Sequence, residues 1–199
     1  MMVLEETGVV PAAALPVAAL ADHLRLGTAF QGDLAQAAML ESLLRAALAV
    51  VEGRTGKALL AREFRILLGA WRGIAAQALP LAPVSALDEV ALVDSAGARV
   101  VLEAARYRLE RDAHRPRLVM VAGTLPMIPA SGRVEIALTA GFGADWADVP
   151  ADLQQAVMLL AAQFYETRHD AGDGVAGLPL TVQALLERWR TVRLLGGGA

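Results

Sequence analysis

Residues 33–68 read DLAQAAMLESLLRAALAVVEGRTGKALLAREFRILL, and the hydrophobic period changes inside them. In the first part Leu40, Leu43, Leu44, Ala47 and Val51 recur at i, i+3, i+4, i+7 and i+11, which puts them on one stripe of an α-helix. Asp33 stands where an N-cap carboxylate receives the first free backbone N–H groups, and Gly53 and Gly56 end the helix. After Lys57 the spacing becomes two. Phe64, Ile66 and Leu68 alternate with Glu63 and Arg65, the pattern of a strand with one buried face.

Outward from this switch, Pro16 opens a short helix carrying Val17, Leu20 and Leu24 and ending near Gly27. Residues 1–15 show no period and are expected to form a loosely held arm. Downstream, strands are expected at 90–93 and 99–102, joined by the turn Asp94-Ser95-Ala96-Gly97, then at 107–110, 118–121 and 133–139. Pro80, Pro83, Pro116, Pro126 and Pro129 punctuate them. Helix returns at Pro150, where Leu153, Val157, Leu160 and Phe164 form a stripe through 151–168. A last helix begins near Pro179 with Val182, Leu185, Leu186 and Trp189 on one face. This order predicts an α+β fold, a helical bundle with a small β domain inserted between the second and third long helices. The expected division is an N-terminal arm at 1–15, the bundle at 16–56 and 150–190, the inserted domain at 57–149 and a C-terminal tail at 191–199.

The chain of 199 residues has the length of one domain carrying an insertion, and 56% hydrophobic against 20% charged residues is the balance of a folded protein. No stretch approaches the ~18 uninterrupted apolar residues of a membrane span. The longest, residues 9–21, is broken by Pro11 and Pro16, and Glu5 and Glu6 stand where a signal peptide is basic, so no membrane is expected and the chain is expected in the cytoplasm when made. With no cysteine there is no disulfide, thiol nucleophile or Cys-based metal site, and His23, His114 and His169 are scattered. A net charge of −3 argues against a dedicated nucleic-acid binder. Lys57 is the single lysine among 18 basic residues, read here as codon bias.

Several motifs resemble chemistry without completing it. Gly172-Asp173-Gly174-Val175-Ala176-Gly177 spells G-x-G-x-x-G, but a helix enters it and Pro179 follows, so it reads as an interhelical loop. Gly141-Phe142-Gly143 follows a strand, yet no βαβ unit surrounds it and a tight turn explains it. Gly53-Arg54-Thr55-Gly56-Lys57 has Val51 and Ala58 where a P-loop needs glycine and a hydroxyl. Glu166 and His169 have di-iron spacing, but only one such pair exists. Asp112 and His114 lack a nucleophile motif. Arg106, Arg108, Arg111, Arg115 and Arg117 interleave with Glu103, Glu110 and Asp112, as a charge-paired solvent face does. No catalytic residue, metal or cofactor is expected.

Segments in order along the chain resemble the head-tail connector (adaptor) proteins of long-tailed phages and gene transfer agents. They are Pro16-Val17 leading to Leu24-Arg25-Leu26, AALAVVEGRTG at 46–56, LPLAPV at 79–84, VEIALTAGFG at 134–143, VPADLQQAVMLLAAQFYETR at 149–168 and LPLTVQALLERWR at 178–190. The segment 106–132 departs from the pattern. The resemblance implies a subunit of a dodecameric ring beneath the portal, with DNA passing transiently and non-specifically through its channel. It also implies a tail-side connector or stopper protein on the opposite face, and a C-terminal segment that docks on the portal. Carried onto this chain, the docking residues are Trp189, Arg190, Val192, Arg193, Leu194 and Leu195. Trp and Arg are the types enriched at interface hot spots, while packing of Trp189 on the chain's own bundle is the competing reading. Two other classes compete for the whole chain. One is a small hydrolase or nucleotide-binding enzyme using His114, Asp112 or Glu166 between bundle and β domain, and the other a DNA-binding accessory protein using the arginine cluster.

Overall fold

Hydrophobic period alone places most elements of the computed structural model, which describes residues 1–27, 33–168 and 177–190. Among these residues are four α-helices and two antiparallel sheets, so the fold is α+β. The elements are β1 (Met2–Glu6), α1 (Val17–His23), α2 (Leu34–Thr55), β2 (Arg62–Leu68), β3 (Ala76–Ala78), β4 (Val84–Val93), β5 (Arg99–Val101), β6 (Tyr107–Glu110), β7 (Arg117–Met120), β8 (Arg133–Ala140), α3 (Ala151–Glu166) and α4 (Leu180–Leu186). Short 3₁₀ turns lie at Ala12–Ala14, Ala104–Arg106, Trp146–Asp148 and Glu187–Trp189.

Asp33 caps α2 as its spacing requires, with Oδ1 accepting from Ala35 N at 3.0 Å and Gln36 N at 3.1 Å. The helix passes Gly53 and stops at Gly56, whose left-handed φ of 66° is the conformation a glycine C-cap supplies. Leu40, Leu44, Ala47 and Val51 are buried against Leu153, Ala156, Val157 and Leu160 of α3 and Val182 and Leu186 of α4 in one hydrophobic cluster. The stripes on three separate helices therefore find one another, each covering what the others expose.

The larger sheet has the order β1-β2-β8-β4-β5, and the smaller β3-β7-β6. Because register is continuous, Met2, Leu68, Val134, Leu92 and Val100 form one row across all five strands. Leu4, Ile66, Ile136 and Val90 form the next. Their shared face joins Tyr107, Leu118 and Met120 of the smaller sheet in a second cluster.

Three features depart from expectation. Residues 2–6 are not a loose arm: they pair with β2, and Val10 and Leu15 are buried in the helical cluster. Met2, Val3 and Leu4 are all apolar and Glu5 and Glu6 both charged, so no alternation marks the strand, and its partner lies about sixty positions away. β3 goes unseen because Ala76, Gln77 and Ala78 lack the branched and aromatic residues that signal a strand. By length and composition α2 is also apolar enough to cross a membrane, with mean hydropathy 1.5, which a search for unbroken apolar runs misses because Glu41, Ser42 and Arg45 interrupt it. Its buried stripe nonetheless belongs to the helical core.

Candidate functional site

The C-terminal stretch expected to dock begins at a fixed point. Trp189 is 8% exposed and belongs to the chain's own helical core, with its ring edge-on to Phe142 at 5.5 Å. Its indole Nε1–H donates to Asp152 Oδ2 at 2.8 Å, in the first turn of α3, and Arg188 Nη1 lies 3.5 Å from the same oxygen. An indole buried with its one donor satisfied is an anchor. Of the expected docking residues, Trp189 is thus turned inward and Arg190 is exposed beside Glu187. Val192, Arg193, Leu194 and Leu195 lie outside the described residues.

Two charged clusters join the helices to the strands. Arg62, at the start of β2, donates to Glu52 of α2 and to Glu6 of β1, with Nη2 to Glu52 Oε2 and Nε to Glu6 Oε1 both at 2.7 Å. Glu52 Oε1 also accepts from Leu59 N at 2.7 Å, and the Arg62 guanidinium sits 4.8 Å above the Phe64 ring. Lys57 is fully buried: its ammonium donates to the Ala113 carbonyl and lies 3.2 Å from His114 Nδ1. Burial pulls Lys57 below the usual lysine value, with Asp112 opposing. The His114 and Arg115 N–H groups, each 2.7 Å from Asp112 Oδ1, hold that carboxyl below the usual range. The one lysine of an arginine-rich chain thus occupies a buried slot, where its compact ammonium meets a carbonyl and an imidazole.

The Lys57 and Asp112 contacts brace the loop at 111–116, and the one amine among them is buried away from solvent. Among the described residues no group of three His, Asp or Glu side chains is placed to hold a metal. His169, and all of the 172–177 loop except Gly177, lie outside the described residues. Gly141-Phe142-Gly143 is a bend that runs close against the segment at 60–61, where Leu60 bridges Gly143 and a Cβ on Gly141 would meet Ala61 N at 2.3 Å. Gly53 to Lys57 forms the C-terminal end of a helix, where carbonyls rather than N–H groups are free. Within the arginine cluster Arg117 pairs with Glu110, Arg108 Nη2 lies 4.0 Å from the same carboxylate, and Arg111 donates to Ser85 O at 2.9 Å.

Part of the exposed surface is apolar or uncharged. Between Leu34 and Arg54, which are also exposed, the outward side of α2 carries Ala35, Ala38, Ser42, Ala46, Ala49 and Gly53, all exposed, small and uncharged, flanked by the partly exposed Glu41–Arg45 pair. Val100 and Val101 are exposed on the edge strand β5, as is Leu4 on the opposite edge. Sequence reading missed these edges because a strand's neighbours, and so its position at an edge, follow from pairing between distant segments.

No family model matches the chain, and no curated protein does. Solved structures do. The chain is 56% identical, over 98% of both chains and with a TM-score of 0.88, to one in the "Neck of empty GTA particle computed with C6 symmetry". It is 52% identical, over 98% of both and with a TM-score of 0.83, to one in the "Neck of native GTA particle computed with C12 symmetry". A chain in the "Virion of native gene transfer agent (GTA) particle" is 55% identical over 98% of both, with a TM-score of 0.85.

Proposed function

The chain belongs to the neck proteins of gene transfer agent particles, and from that premise we propose that it is the head-tail connector, or adaptor, subunit that joins the portal to the tail. The similarity over 98% of both chains carries this reading. It is a structural protein of the particle and not an enzyme, as the solved chains it matches are neck and virion components.

In this reading the helices and the inserted β domain form one wedge of a dodecameric ring, in keeping with the C12 symmetry of the matched neck. Three features of the chain support it. The outward face of α2 has the small, uncharged side chains that let a neighbouring helix approach closely. The edges of the larger sheet are open. A net charge of −3 suits a channel through which DNA slides, because each phosphate neutralised adds salt-sensitive grip.

Arg190, Val192, Arg193, Leu194 and Leu195 dock on the portal, and Trp189, turned inward, anchors the start of this segment on the chain's own helices. The opposite face of the ring receives a tail-side connector or stopper protein, and no membrane takes part. Deleting 191–199 keeps the Trp189 anchor and is expected to weaken portal binding at least tenfold in a pull-down with purified portal. Undiminished binding rejects the docking assignment. Cryo-EM of particle necks carrying a tagged chain tests the ring position itself.

A further inference from the structure

The larger sheet ends on two strands whose outer sides are unpaired. On β5, Leu102 N donates to Val90 O at 2.8 Å, and Asp94 N donates to Ala98 O at 3.0 Å. In an antiparallel ladder the amides alternate in direction, so those of Val100 face β4 and those of Arg99 and Val101 face away. On β1, Gly69 N donates to Met1 O at 3.2 Å and Thr7 N to Glu63 O at 3.0 Å. Val3 and Glu5 therefore face β2, while the amides of Met2, Leu4 and Glu6 face away. Among the described residues no hydrogen bond reaches these outward groups.

Five strands paired antiparallel throughout leave the first and last running in the same direction. A rotation about a ring axis preserves that sense from one copy to the next. We propose that β5 of one copy pairs in parallel with β1 of the next copy, so that the ring closes through a continuous sheet; this rests on the ring reading above.

Backbone and side chains select the same register. In a parallel ladder a residue with inward amides is bracketed by two residues of the other strand. Setting Arg99 between Met2 and Leu4 of the next copy, and Val101 between its Leu4 and Glu6, uses every outward amide of β5. That register lays Val100, 64% exposed, beside Leu4, 40% exposed. Both lie on the core face, at the open ends of the apolar rows that cross the sheet. On the other face Arg99, which already pairs with Glu89 and Glu135 of its own copy, and Glu5 become diagonal neighbours of opposite charge. Pairing β1 with a second β1 would instead bring Glu5 and Glu6 of two copies together, and pairing β5 with β5 would oppose two Arg99 side chains. Two β1 edges would set carboxylates against carboxylates, whereas β5 brings an apolar Val100 and no net negative edge, which favours a head-to-tail joint.

The chain has no cysteine, so a pair of introduced thiols reports this contact alone. In particles whose neck chain carries both Leu4→Cys and Val100→Cys, mild oxidation is expected to give a ladder of covalent multimers on a non-reducing gel. Neither single variant gives one. Directly opposed residues on neighbouring strands lie ~4.8 Å apart, inside the Cα separation a disulfide accepts. Necks that image as intact rings but give no ladder overturn the edge pairing and leave the ring reading standing. Particles with no ring of this chain overturn both. A second variant, Val101→Pro, removes an outward N–H and none of those facing β4. It is expected to weaken self-association at least tenfold while the thermal midpoint of the subunit is kept, and unchanged assembly with a folded subunit also overturns the pairing. A ladder abolished by excess tail-side protein, with the ring retained, assigns the edge to that protein and overturns the proposal.

Discussion

The Arg62 guanidinium closes on Glu52 with two parallel hydrogen bonds, Nη2 to Oε2 at 2.7 Å and Nη1 to Oε1 at 3.0 Å, and so ties the strands to the longest helix. Its side chain is 5% exposed and that of Glu52 13%, so neither charge has much water to fall back on. Arg62→Met is expected to cost about 3–5 kcal/mol in urea unfolding, because a buried carboxylate is left without its partner. Adding Glu52→Gln keeps the acceptor for Leu59 N–H, removes the charge, and should restore at least half of the loss. A double variant no more stable than Arg62→Met rules out the unpaired charge as the cause.

Trp189 combines packing with one hydrogen bond, and two substitutions separate them. Trp189→Phe keeps an aromatic ring against Phe142 but loses the donor to Asp152, at a cost of about 1.5–3 kcal/mol for a bond to a charged group. Trp189→Ala also opens a cavity and is expected to cost about 3–5 kcal/mol. Chemical denaturation of the full chain measures both, and equal stability of the two variants contradicts the assignment.

Lys57 makes stability depend on pH with a defined sign. Its folded pKa lies below the unfolded value of 10.5, so between the two the unfolded chain binds more protons and stability rises with pH. Lys57→Met should abolish that part of the rise and leave the protein equally or more stable at pH 7. Thermal midpoints of both forms, followed from pH 7 to 10, give the comparison. Parallel curves count against a buried ammonium.

Gly141 and Gly97 both have positive φ, 136° and 88°, but only the first is crowded. Gly141→Ala drives its Cβ to 2.3 Å from Ala61 N and should cost about 3 kcal/mol or more. Gly97→Ala meets nothing within 4 Å and should cost about 1 kcal/mol, the strain of the backbone alone. The difference in melting temperature between the two variants measures what the close approach of Gly141 to the backbone at 60–61 demands.

What could be read in the residues follows from how local each signal is. The stripe from Leu40 to Val51, the Asp33 cap, the Gly56 stop and the alternation of Phe64, Ile66 and Leu68 are all set within a few turns of chain, and each is found where its spacing puts it. β1 and β3 were invisible because they are defined by partners, β2 and β7, and not by their own composition. Trp189 was ambiguous for a related reason: the sequence marks an indole as an anchor without saying which surface it grips, and Asp152 and Phe142, which decide this, are far away in the chain. Lys57 offered a rarity in composition but no spacing, and its meaning depends on the fold delivering Ala113 and His114 to its ammonium.

An odd strand number gives the sheet a polarity, and polarity has an arithmetic consequence. A joint between unlike edges supplies no natural last member; every added subunit offers the same vacancy as the one before. Only curvature can end such a series, and curvature at this joint is the residual twist between the outermost strands. On this account copy number is encoded in an angle, and a bulge such as those where β4 shifts register against β8 near Ala86 and Glu89 is where evolution could retune the circumference without touching the recognition chemistry.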